Sequence, residues 1–97
     1  MVEVAILRQP EWPKTTVTVR YFAGAQAAAG VAEERLMLVS PLTLATLVEE
    51  LAARHGADLA RVLAASGFIV DEVAATDPEQ ILDDGARVDV LPPFAGG

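Results

Sequence analysis

The chain reads as one mixed-sheet α+β domain, and three observations predict it. Strands with one-sided apolar alternation stand near its beginning and at its end, one amphipathic helix of about three turns lies between them, and 97 residues with 53% hydrophobic content suffice for a single core.

Residues 1–14 form an N-terminal extension: a short run with Val2, Val4 and Ile6 alternating, then Pro10 and Pro13 around Trp12, which interrupt regular structure. An edge strand, a clasp on a neighbour and a plain tail all fit it. The domain proper spans residues 15–91. From Thr15 to Phe22, Val17, Val19 and Tyr21 alternate with Thr16, Thr18 and Arg20, which makes a strand with one buried face. Ala23 to Gly30 is too rich in alanine and glycine for a strand and reads as a loop or one helical turn, and Glu34 to Val39 returns as the second strand.

Ser40-Pro41 ends that strand. Thr43 is placed to cap a helix whose Leu44, Leu47, Val48 and Leu51 recur at i, i+3, i+4 and i+7, and Gly56 after Arg54 and His55 stops it. Leu59, Val62 and Leu63 mark a shorter helix that ends near Gly67. Phe68 to Val70 is a short strand, Asp71-Glu72 a turn, Val73 and Ala74 the return, and Pro78 to Leu82 one helical turn. Asp83-Asp84-Gly85 then turns the chain into a last strand, Ala86 to Leu91, with Val88 and Val90 on one side and Arg87 and Asp89 on the other. The many alanines suggest a core of small side chains and close backbone approach rather than of aromatics.

Composition excludes several classes of function. There is no cysteine, so disulfides, thiolate nucleophiles, zinc-thiolate sites and a persulfide on a side chain are all ruled out. A net charge of −7 and a pI near 4.4 oppose nucleic-acid or anionic-membrane binding and fit a basic protein partner better. No run approaches the ~18 apolar residues of a membrane span, and Met1-Val2-Glu3-Val4 lacks a secretory pattern, so a cytoplasmic protein is expected.

Side-chain chemistry is sparse. His55, the only histidine, stands where a cation complements a helix C-terminus, a structural place more than a catalytic one. The pairs Glu33-Glu34, Glu49-Glu50, Asp71-Glu72 and Asp83-Asp84 lack calcium-loop spacing and read as solvated surface, so no metal site is expected. No Lys-Ser/Thr follows the glycines at 24 and 30, and Ser40 and Ser66 lack a nucleophile-elbow context. The chain is expected to be non-catalytic alone and to bind no cofactor.

The last six residues, Pro92-Pro93-Phe94-Ala95-Gly96-Gly97, form a tail that is stiff at its base and free of side-chain bulk at its tip. Extended, it reaches roughly 20 Å, enough to enter another protein's active site. A frayed end is the alternative. If the tail works, the Gly97 carboxylate is the reacting group once a partner converts it to an anhydride or thioester, and Gly96 lets a narrow channel close around the backbone.

The segments Val17-Thr18-Val19-Arg20-Tyr21-Phe22-Ala23, the helix opened by Thr43, Asp83-Asp84-Gly85-Ala86-Arg87-Val88 and Leu91-Pro92-Pro93-Phe94-Ala95-Gly96-Gly97 together resemble the molybdopterin synthase small subunit family of ubiquitin-like β-grasp sulfur carriers. The resemblance covers residues 15–97, and the proline pair before the glycines is its most discriminating part. It implies a β-grasp fold and an ATP-dependent activating enzyme that adenylates Gly97, after which sulfur replaces a carboxyl oxygen. The thiocarboxylate would then enter the large molybdopterin synthase subunit and donate sulfur to a pterin precursor of the molybdenum cofactor. Pro92, Pro93, Phe94 and Ala95 would touch the partner, and ATP would be used only by the activating enzyme.

Residues 1–14 have no counterpart in the family pattern, the first loop is less polar than usual with Gln26 its one polar side chain, and Asp71 stands where asparagine is common. A carrier for thiamin, cysteine or a specialised metabolite, a protein modifier joined to lysines through Gly97, and a binding module with an inert tail remain as alternatives.

Overall fold

In the computed structural model of the chain, residues 12–93 are described. Most of the N-terminal extension and the tail from Phe94 to Gly97 lie outside the described residues. The element order is β1 (Lys14–Tyr21), α1 (Gly24–Ala29), β2 (Glu33–Val39), β3 (Leu42–Thr43), α2 (Leu44–His55), α3 (Ala57–Ala65), β4 (Gly67–Val70), β5 (Val73–Ala75), β6 (Ile81–Leu82) and β7 (Ala86–Leu91).

Five strands make one mixed sheet in the order β2-β1-β7-β4-β5. Its centre is the parallel pair of β1 and β7, in register from Val17↔Ala86 to Tyr21↔Val90, and every other pair in it is antiparallel. The alternation read in β1 and β7 decides which face is buried: Val17, Val19, Val88 and Val90 are fully buried, while Arg20, Arg87 and Asp89 point the other way. Leu47, Leu51 and Leu59 from the two longer helices pack into the same core, so one face of the sheet is covered and one is open.

Leucine and valine fill this core. Among the described residues only Ala25 and Ala86 of the alanines are buried in it, with Ala28, Ala29, Ala52 and Ala75 packed partly buried against it. The expectation of a core built on small residues is therefore corrected, while Tyr21 is the one buried aromatic there. Alanine enriches the helices instead, where it is the strongest helix former.

The helix signals hold. Thr43 has an extended backbone and its Oγ1 accepts a hydrogen bond from the Thr46 amide at 3.1 Å, which satisfies one of the unpaired donors of the first turn of α2. Gly56, at φ 98°, ends α2, and its amide donates to the Ala52 carbonyl at 2.9 Å. Ala23–Gly30 contains a short helix, and the two residues Asp71 and Glu72 both take positive φ, 47° and 71°, as the tight turn of the β4–β5 hairpin needs. The Asp71 side chain accepts from the Arg87 amide at 2.9 Å, a bond that a carboxylate makes as well as an asparagine amide would.

A second expectation also fails. Pro78 to Leu82 is no helical turn: Asp77 to Gln80 forms a hydrogen-bonded turn, and Ile81–Leu82 pairs with Leu42–Thr43 as a second, two-stranded sheet. The reason is packing, because Leu42 and Leu82 sit opposite each other and both are buried, which an extended pair achieves and a lone turn does not. Among the described residues no helix is long and apolar enough to cross a membrane.

The Thr43 cap gives a direct test. Thr43→Ala is expected to lower stability by about 1 kcal/mol in urea unfolding, with an unchanged m-value.

Candidate functional site

Because β7 lies in the middle of the sheet, the chain leaves its centre at Leu91 and passes through Pro92 and Pro93 toward the tail. β1 is parallel to β7 and ends at the same rim, where the Phe22 amide donates to the Val90 carbonyl at 3.2 Å. There the surface opens into a groove of about 590 Å³, lined by Phe22, Val62, Ala65, Leu91, Pro92 and Pro93 among others, with walls that are almost wholly apolar. The base of the tail is one wall of this groove.

The opposite wall starts at Ala23, which has φ 50° and ψ −126°, the conformation of the first central residue of a type II′ turn. The Ala25 amide closes that turn on the Phe22 carbonyl at 3.0 Å. Glycine is the residue suited to this conformation, and an alanine there stores strain at the edge of the groove.

Two polar clusters fix the rim. On the covered side the Tyr21 hydroxyl donates to Glu34 Oε2 at 2.6 Å, and His55 Nε2 lies 2.5 Å from the same oxygen. The imidazole edge also meets the Tyr21 ring in a T-shaped contact with centroids 5.9 Å apart. One carboxylate oxygen thus ties β1 and β2 to the C-terminus of α2. Burial, and then the hydrogen bond to Glu34, push the Tyr21 phenol far above its usual value of 10.0.

On the open side Arg20 forks onto Asp89, with Nε to Oδ1 at 2.8 Å and Nη2 to Oδ2 at 2.9 Å. The same guanidinium lies 5.4 Å from the centroid of the Phe22 ring. Hydrogen bonding between the two raises the pKa of Arg20 and lowers that of Asp89.

Of the site residues expected from sequence, Pro92 and Pro93 stand at the groove, while Phe94, Ala95, Gly96 and Gly97 lie outside the described residues. His55 is engaged with Glu34, Glu50 with Arg54 at 2.9 Å, and Asp84 with the Thr16 amide at 2.8 Å. Phe22, Ala23, Val62 and Ala65 were not singled out as site residues. The signal for Phe22 was its parity: it shares the outward side with Thr16, Thr18 and Arg20 yet is a large apolar residue, 38% exposed. Leu91 breaks the parity of Arg87 and Asp89 in the same way.

The model of the ThiS family matches residues 19–97, most of the domain and the tail. This chain belongs to the ThiS family. No curated protein matches it. Among solved structures it is similar to a protein assigned as molybdopterin converting factor subunit 1 from Pyrococcus furiosus, with a TM-score of 0.70 and 26% identity over 82% of this chain and 99% of that one. It is similar to small archaeal modifier protein 1 from Methanosarcina acetivorans, TM-score 0.73 and 20% identity over 88% and 99%. A complex of subunits 1 and 2 of molybdopterin-converting factor from Helicobacter pylori contains a further neighbour, TM-score 0.58 and 22% identity over 86% and 100%. The fold is therefore the ubiquitin-like β-grasp of the sulfur carriers and their relatives.

Two measurements test the rim. Ala23→Gly is expected to raise stability by about 1 kcal/mol in urea unfolding, since glycine accepts this conformation without strain. Tyr21 is the only tyrosine, so its ultraviolet titration is free of overlap. Its folded-state pKa lies above the unfolded one, so its contribution to stability is complete below pH about 10 and is lost as pH rises further. The phenolate should appear only as the protein unfolds; half-ionisation of the folded protein near pH 10 would contradict the buried bond.

Proposed function

We propose that the protein is a sulfur carrier of the molybdopterin synthase small-subunit type. The observation that carries this reading is the exit of a central strand, paired on both edges, through Pro92-Pro93 at an apolar groove, in a ThiS-family chain whose family match runs through Gly96-Gly97 and whose sequence holds no cysteine. A rigid body presents the tail, and the tail presents a carboxylate.

The Gly97 carboxylate attacks the α-phosphorus of ATP on an activating partner, forming an acyl adenylate and releasing pyrophosphate. Sulfide-level sulfur from a donor then attacks the acyl carbon and AMP leaves, which gives a thiocarboxylate whose sulfur is passed to a pterin precursor within the large synthase subunit. The carrier supplies no acid or base to these steps. Its contribution is position: the prolines stiffen the base, Gly96 and Gly97 offer no side chain to clash in a channel, and Phe22, Leu91 and Phe94 give the partner apolar surface near the tail. The likeness to molybdopterin converting factor subunit 1 supports this pathway.

The likeness to a small archaeal modifier protein favours a second reading, in which the same activated Gly97 is joined to a lysine of a target protein. The product separates them. Protein incubated with ATP, a sulfur donor and host extract, then treated with a thiol alkylating reagent, is expected to carry the label only on its C-terminal peptide, because the chain has no cysteine. A control lacking Gly97 should remain unlabelled. No label, in an extract that thiolates a known carrier, would overturn the proposal, and isopeptide-linked conjugates would establish the second reading.

A further inference from the structure

The net charge of −7 hides an uneven distribution. Among the described residues, Lys14, Arg20, Arg35 and Arg87 share the outward side of the strands, whereas Glu33 and Asp89 are the acids that do so from within a strand and Glu72 reaches Arg87 from the β4–β5 turn. The strand register sorts them into rows. Arg20 lies between Glu33 and Asp89, so that row is self-neutralising, and its arginine is held by the fork to Asp89 and by Phe22.

The neighbouring row is different. Thr18 is the partner of Arg35 on one side and of Arg87 on the other, so two arginines flank one hydroxyl across three adjacent strands. With strands ~4.8 Å apart, the two backbone positions are roughly 10 Å from each other, a gap two long side chains can close from either side. Arg35 makes no ion pair among the described residues. Arg87 has only a 3.5 Å contact with Glu72, which is 83% exposed and free to yield it to a competitor. The arginines on the helical side are already matched on their own helices, Arg54 with Glu50 and Arg61 with Asp58.

We propose that the open face of the sheet docks an acidic patch of the activating partner on which the tail is adenylated, with carboxylates seated between Arg35 and Arg87 above the Thr18 hydroxyl. Guanidinium forks match carboxylates in shape and charge, and the hydroxyl adds a third donor. The face runs without a break through Arg20 and Phe22 to the groove at the base of the tail, so one partner can cover both. The whole-chain charge favours a basic partner; this face selects an acidic contact within that interface and sets its orientation. That the partner activates the tail rests on the sulfur-carrier reading, whereas the charge pattern does not.

The test has two arms on the full chain. A glutamate-rich synthetic peptide is titrated while the amide and arginine Nε–Hε resonances are followed by NMR. Shifts centred on Thr18, Arg35 and Arg87, fading with added salt and about tenfold weaker in affinity for the Arg35→Gln/Arg87→Gln variant, are expected. Shifts centred on Arg54 and Arg61, or none, would overturn the proposal, and an equal response to inorganic phosphate would reduce the row to a small-anion site and overturn it as a docking surface. In the second arm, Arg35→Glu/Arg87→Glu, shown folded by circular dichroism, should acquire the terminal thiol label more slowly than the unaltered protein at low salt, with the difference closing at high salt. Equal rates at low salt would count against the surface. If the unaltered protein takes no label, the sulfur-carrier reading falls and the peptide arm alone decides the surface.

Discussion

The parallel pairing of β1 with β7 is the constraint on which the other features rest. It brings the beginning and the end of the domain together in the middle of one sheet, from Val17 beside Ala86 to Tyr21 beside Val90. A parallel pair needs a long connection, and everything between the two strands supplies it, including both longer helices that cover one face. The position of the groove follows: Phe22 continues β1 and Leu91 ends β7 at the same rim, so the tail begins beside an apolar surface.

The two polar clusters at that rim do different work. The shared oxygen of Glu34 joins Tyr21 and His55 where water is largely excluded, so it locks β1 and β2 to the end of α2. The Arg20–Asp89 fork is partly exposed and joins the two central strands on the open side, where solvent screens it. Its value lies in geometry: it holds Arg20 over Phe22.

Much of the fold was legible because it rests on short-range signals. The period-two pattern of Val17, Val19 and Tyr21, the capping position of Thr43 and the stop at Gly56 each act over a few residues, and each survives in the structure. Ile81–Leu82 was misread because its partner, Leu42–Thr43, lies some forty residues earlier, and two residues are too few to show a period. The tail motif was readable as chemistry, but the groove was not, since Phe22, Val62 and Leu91 come from three separate elements. The cationic row was hidden for the same reason: Arg35 and Arg87 become neighbours of Thr18 only through strand register, and net charge averages over every face.

The central position of β7 also governs how the molecule bears load. Five residue positions of β7 are in register with β1 and four with β4, so the strand that leads into the tail is bonded along both edges. A pull on the tail, such as withdrawal from a deep channel, acts along the strand axis and strains these ladders together in shear. An edge strand under the same axial force would be held by one ladder instead of two. The β-grasp topology thus anchors the chain that leads into Pro92 and Pro93 by two ladders.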